Sequence, residues 1–341
     1  MTAENLWLQG GGLVTGLIFG NIVQRQRFCM VAAIGNLVLM RDWRHVHAFL
    51  AAFAVAIGGT QWLEASTLVP MAESAYRQAR FDWLGLTVGG LVFGFGTTLA
   101  GGCAARLLVR SAEGSVGAWV ALLAFSLMAA VTQFGALASA REQLANLSAI
   151  SLGAGDSSLS VLLHLPPGVG GSVAAVLFII WLAIVGRGTH DWRLIIAGGA
   201  IGALVVLAWW VTGNLARDEF TTLSPTALTI SGPLARITLV LVTGNSFGAG
   251  FGIPFVLGIV VGAAFTAFIT GTLHWQLPDP RYIPPSLAGG AMMGLGAILA
   301  GGCNIGQGLS GVSTLAVGSI TATLAIFSGA VLGVKWLERR P

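Results

Sequence analysis

Charge is what this sequence has least of. Only 9% of its 341 residues are Asp, Glu, Lys or Arg, against roughly 25% in an ordinary soluble domain, which excludes a soluble globular chain. Cysteine is scarce as well. The three cysteines include no C-x-x-C pair and no Cys/His spacing of the kind zinc requires, so a disulfide framework and a zinc centre are both excluded. Proline is limited to 11 residues beside 49 glycines, so the glycine is not that of a flexible low-complexity chain. Acidic residues are nearly missing from the long apolar stretches, which leaves a proton or sodium relay without carriers, and there is no P-loop for ATP. No metal and no cofactor is expected. The formal charge of +4 is gathered into short segments between apolar stretches, so nucleic acid is not an expected partner. No basic residue precedes Arg25, so the first apolar stretch lacks the positive flank of a cleaved signal peptide and is expected to be retained.

What is present is hydrophobic: 55% of the residues. A spanning helix takes about 20 apolar residues. Uncharged or nearly uncharged stretches cover residues 47–69, 82–100, 114–140, 157–186, 194–216, 237–278 and 282–334. The last two are too long for one pass, so each holds two passes, or one pass plus a re-entrant segment, with folding-back points at the glycine-rich breaks 244–252 and 301–311. Shorter pieces on either side of residues 24–27 are expected as half-helices. The expected class is an all-α integral membrane protein with about nine transmembrane helices plus short re-entrant half-helices.

A repeat stands out. Residues 94–103 read GFGTTLAGGC and residues 294–303 read GLGAILAGGC, seven of ten positions being identical. Each copy lies between two apolar spans. Two halves with matching broken helices are the signature of a transporter whose site lies at the repeat interface near the bilayer midplane. The expected organisation is residues 1–150 as the first half with Cys29 and Cys103, 151–225 as connecting helices, and 226–341 as the second half with Cys303. The Gly pairs 101–102 and 301–302 serve tight helix packing or close approach to a substrate, and a lone buried Cys is commonly a small hydrophobe. All three cysteines nevertheless fall at helix interruptions, which packing alone does not predict.

The loop with Arg41, Arg44 and His45, the loop with Arg187, His190 and Arg193, and the end with Lys335, Arg339 and Arg340 are assigned to the cytoplasm by the positive-inside rule, and the longer loop 141–164 to the outside. Trp residues near span ends read as an aromatic belt. Arg25 and Arg27 either anchor at the membrane surface or meet an anionic substrate ahead of Cys29.

At RQRFC (25–29), AGGC (100–103) and AGGCNIGQGLSG (300–311) the chain resembles the YeeE/YedE family of membrane proteins, which import thiosulfate and related sulfur compounds. The resemblance implies a helical fold with internal pseudo-two-fold symmetry and a narrow path on which substrate passes between the thiols of Cys29, Cys103 and Cys303 by S–H hydrogen bonds. One departure is Arg106, where the second copy has Gly306; it adds a cation one turn from Cys103 or reaches to the cytoplasmic interface. Expected substrate contacts are Cys29, Cys103, Cys303, Arg27, Arg106, Gly102, Gly302 and Asn304. The expected location is the inner (cytoplasmic) membrane, embedded in lipid, with a small cytoplasmic sulfur-carrier protein as a partner. Two other readings stay open: a membrane thiol enzyme that hands sulfane sulfur covalently to such a carrier, and a selenium-compound transporter.

Overall fold

A computed structural model describes residues 3–151, 155–164, 168–185, 191–216, 224–244 and 250–339. Arg187, His190, Arg340 and most of the 244–252 break lie outside the described residues. The elements are helices α1 (Ala3–Gln26), α2 (Met30–Met40), α3 (Arg44–Ala65), α4 (Trp83–Leu99), α5 (Ala104–Ala112), α6 (Val116–Phe134), α7 (Ala138–Ser148), α8 (Leu159–Leu162), α9 (Val169–Val185), α10 (Trp192–Trp210), α11 (Ser231–Thr243), α12 (Gly252–Ile269), α13 (Ile283–Leu299) and α14 (Val317–Glu338). A π-helical turn, Asn304–Gly311, lies between α13 and α14. The described strands are β1 (Arg80–Asp82) and β2 (Ala149–Ser151), a short antiparallel pair. The expected all-α membrane class is what the structure shows.

Eight helical segments among the described residues are long and apolar enough to cross a bilayer. They differ from the sequence expectation in three places. The piece before residues 24–27 is a full helix of 24 residues, not a half-helix. Its polar residues do not stop it because Asn21 Nδ2 donates to Thr266 Oγ1 at 2.8 Å and Gln24 Nε2 to Thr272 Oγ1 at 3.0 Å. Stretch 237–278 contains one full helix, α12, and the end of the 13-residue α11. Stretch 157–186 forms the four-residue α8 and the 17-residue α9.

Glycine sets how the long helices meet. A Cβ on Gly12, Gly16 or Gly20 of α1 would collide with the carbonyl oxygens of Phe251, Phe255 and Ile259 in turn. Both series ascend together, so α1 and α12 are parallel and in main-chain contact, as small residues allow inside a bilayer. The same ascending register joins α10 to α3 through Gly198 and Gly202, α4 to α14 through Gly90 and Gly94, and α13 to α6 through Gly290 and Gly294. Helices α4 and α13 cross the other way, with Gly89 against Gly296 and Gly96 against Gly289. Thus α1, α4, α12 and α14 run in one direction and α3, α6, α10 and α13 in the other.

Gly94→Ala, whose new methyl group meets the Ile326 carbonyl, is expected to cost about 1–3 kcal/mol and to lower the thermal midpoint of the detergent-solubilised protein. Gly10→Ala, with nothing within 4 Å of its new Cβ, should leave the midpoint unchanged or raise it. Equal midpoints for the two variants would refute the close-packing account.

Candidate functional site

The site grows out of the way α4 and α13 stop. After Leu99 the chain enters a left-handed turn at Gly101 (φ +73°), and after Leu299 at Gly301 (φ +69°). In the first turn Gly102 N–H donates to the Thr97 carbonyl at 2.9 Å and Gly101 N–H to Thr98; in the second, Gly302 N–H donates to Ala297 at 2.7 Å and Gly301 N–H to Ile298. These are Schellman turns, which satisfy carbonyls that the helix end would leave bare. A side chain at either left-handed position would be strained, hence glycine. Gly102 and Gly302 back the turns, against the Arg106 and Gln307 side chains respectively.

Each turn delivers a cysteine as the N-cap of the next helical segment. Cys103 and Cys303 are extended, and their carbonyls accept from Leu107 and Gln307 N–H at 2.9 and 2.8 Å. Cys29 holds the same place ahead of α2, where Arg27 (φ +50°) makes the left-handed turn and Ala33 N–H donates to the Cys29 carbonyl at 3.0 Å. None of the three thiols caps its own helix. No capping hydrogen bond from these cysteines takes up the first-turn N–H groups, which with the positive end of each helix lie beside the sulfurs.

All three cysteines are buried and unpaired by disulfide. The thiol of Cys29 reaches that of Cys103 across 3.9 Å. Cys303, fully buried, stands apart from this hydrogen bond. Asn304, beside it, is 3% exposed, and neither atom of its amide has a partner among the described residues. The turn bearing Cys303 is pinned by Gln307, whose Nε2 donates to Ala300 O at 2.8 Å while its Oε1 accepts from Ser319 Oγ at 2.6 Å. Among the described residues no three His, Cys, Asp or Glu side chains cluster closely enough to hold a metal ion.

Two cavities flank the cysteines. One, of about 330 Å³, is lined by Arg25, Arg27, Arg106, Arg110, Glu113 and His274 among others. Arg106 does face this cavity, one turn from Cys103, in an ion pair with Glu113 at 3.7 Å, and Arg110 Nη1 donates to the Gly101 carbonyl at 3.1 Å. Four guanidinium groups against one carboxylate leave this wall strongly positive. The other cavity, of about 730 Å³, is lined by Tyr76, Thr229, Arg236, Gly301, Gln307 and Ser319 among others. Sequence reasoning missed Tyr76, Thr229, Arg110, Gln307 and Arg236. Only Arg236 carried a readable signal, a cation inside an otherwise apolar segment.

The model of the Sulphur transport family matches residues 25–332. The chain is 30% identical over 335 residues to the thiosulfate transporter TsuA of Spirochaeta thermophila, covering 93% of this chain and 96% of that one. It is 29% identical over 323 residues to the thiosulfate transporter TsuA of Escherichia coli strain K12, covering 87% and 86%. A shorter match, 29% over 122 residues, joins it to the probable transporter YedE of Escherichia coli, covering 35% of this chain and 28% of that one. The chain belongs to the Sulphur transport family.

Mild oxidation of the folded protein should consume the Cys29 and Cys103 thiols together, leaving one of three free thiols, at Cys303. Mass spectrometry after alkylation under denaturing conditions reads this directly; loss of Cys303 instead would contradict the placement of the pair.

Proposed function

We propose that this member of the Sulphur transport family imports thiosulfate, or a similar small sulfur-containing anion, across the cytoplasmic membrane, relaying it from Cys303 to the Cys103–Cys29 pair by S–H hydrogen bonds. The observation that carries the reading is the N-cap placement of all three cysteines, with two sulfurs 3.9 Å apart, between two cavities that contain arginine. The names of the two TsuA relatives support thiosulfate as the substrate.

The physical problem is a dianion in an apolar slab. Stripping its water without replacement would be prohibitive. The first-turn N–H groups of α2, of α5 and of the Asn304–Gly311 turn supply fixed positive ends in its place, and Asn304 adds an amide without another partner. A sulfane sulfur is large and weakly hydrated. A thiol, a weak donor, can hold it and still release it, as conduction requires. Arg25, Arg27, Arg106 and Arg110 then favour the anion at the far end, while Gly102 and Gly302 let the chain turn tightly beside it.

Direction follows from charge. Arg41, Arg44, Arg193, Arg281, Lys335 and Arg339 sit where α3, α10 and α13 start or α2 and α14 finish, the same end as the four-arginine cavity. The positive-inside rule makes this end cytoplasmic, so the Cys303 cavity receives substrate from outside. A small cytoplasmic sulfur-carrier protein is the partner we place at the inner end.

The parallel pairs α1 with α12, α3 with α10, α4 with α14 and α6 with α13 also support an inverted repeat in which α1, α3, α4 and α6 correspond to α10, α12, α13 and α14. On this reading the second half takes in α10 and begins at residue 192, earlier than the 226 expected from the cysteine motif.

A bacterium stripped of its own sulfate and thiosulfate uptake should grow on thiosulfate with this protein and not with Cys103→Ala or Cys303→Ala at equal abundance. In proteoliposomes each variant should lose about tenfold or more of the uptake rate, the effect of removing one hydrogen bond to an anion. Sulfite released outside, with sulfur left on the protein and no thiosulfate within, would overturn relay in favour of a covalent thiol enzyme.

A further inference from the structure

The segment between α3 and α4 does not lie loose on the surface. Val69, Met71, Ser74 and Arg77 are all buried, and Arg77 is the reason. Its guanidinium has five N–H donors, and all five are used. Nε and Nη2 donate to the Thr314 carbonyl at 2.9 and 2.7 Å, Nη1 and Nη2 donate to the two oxygens of Glu64, and Nη1 also reaches Asp156 Oδ2 at 3.4 Å. One buried cation thus ties this segment to α3, to the loop before α8, and to the residues that follow the π-helical turn opening at Cys303.

The neighbour of that clamp is Tyr76. Its ring stands edge-on to Trp209, centroids 6.1 Å apart and planes at 75°. On the other side it lies against the backbone of the turn: a Cβ on Gly311 would come within 2.9 Å of its Cδ1, and one on Gly306 within 3.6 Å of its hydroxyl and 3.1 Å of Thr229 Oγ1. The hydroxyls of Tyr76 and Thr229 therefore converge over Gly306, one turn beyond Cys303. The first copy has Arg106 at the position of Gly306. Among the described residues the Tyr76 hydroxyl has no hydrogen-bond partner, although the residue lines the larger cavity. Cys303, by contrast, is fully buried and is not part of that cavity's wall.

We propose that Tyr76 forms the floor of the Cys303-side cavity and positions the incoming anion, its phenol O–H donating to an anion oxygen while the sulfur end passes to the Cys303 thiol. The assignment rests on the import reading above. A neutral phenol fits the task better than a cation would, because it orients an oxyanion without trapping it as a fixed ion pair does. Burial pushes the phenol above its ordinary titration range, so it stays a donor. The Arg77 clamp fixes where that donor stands. Specificity for an anion with both oxygen and soft sulfur ends follows, since the phenol lies over Gly306 and the thiol stands one turn before it.

Tyr76→Phe keeps the ring, its contact with Trp209 and its packing on Gly311, and removes one oxygen. In proteoliposomes the variant should raise the thiosulfate concentration for half-maximal uptake about tenfold, with the maximal rate and the thermal midpoint unchanged, a split that a merely structural role would not give. In Tyr76→Ala, Cys303 should react severalfold faster with a small membrane-impermeant thiol reagent added from outside, read residue by residue by mass spectrometry, with thiosulfate slowing the reaction. An unchanged half-saturation in Tyr76→Phe, or unchanged Cys303 labelling in Tyr76→Ala, overturns the role of Tyr76 and leaves import standing. Failure of the unchanged protein to take up thiosulfate overturns both.

Discussion

A helix that stops inside the apolar thickness of a membrane leaves its last carbonyls and the next segment's first N–H groups without water to satisfy them. At the ends of α4 and α13 the carbonyl half of that problem is solved by Gly-Gly turns in the left-handed conformation, which fold N–H groups back onto Thr97, Thr98, Ala297 and Ile298. The N–H half is left open. A cysteine thiol is a poor cap, and the residue that follows each turn makes no capping hydrogen bond to the donors behind it. An anion can take them instead, and the position of the thiols follows from the position of the turns.

Those turns have to be held rigidly, and close helix contact does it. Where α1 meets α12, or α4 meets α14, there is no side chain between the two backbones, so the helices cannot slide without collision. The two sides of the centre are then free to differ. On one side Arg106 occupies the turn after Cys103 and, with Arg25, Arg27 and Arg110, makes a positive vestibule. On the other, Gly306 leaves room for the hydroxyls of Tyr76 and Thr229. On the proposed path, hydroxyl and amide donors at one end and guanidinium groups at the other favour net movement of an anion toward the cations, provided that it is consumed there.

Arg77 illustrates how a charge is kept inside such a protein. A buried cation is costly unless its geometry is fully satisfied. Here five donors meet one bidentate carboxylate, one carbonyl used twice and a second carboxylate. The same arrangement that makes the burial tolerable joins three chain segments far apart in sequence, 64, 156 and 314, next to Tyr76 in the wall of the larger cavity.

The membrane class was legible because it is a property of composition: too little charge and too many long apolar stretches for any aqueous fold. The cysteine turns were legible because Gly-Gly-Cys is a local signal, repeated at 103 and 303, whose backbone consequence is independent of the rest of the chain. What the sequence could not show were meetings between distant residues. Gln24 reads as an interruption until Thr272 is found to satisfy it; Cys29 and Cys103, 74 residues apart, become neighbours only when α1 and α5 pack; Tyr76 lies in a stretch that reads as surface loop until Thr314 and Glu64 draw Arg77 inward. A window of sequence records what each residue prefers, and so determined that helices would form, where they would break and that thiols would stand at the breaks. Which donors face one another across the breaks was decided by tertiary packing, because complementarity between surfaces has no trace in either segment alone.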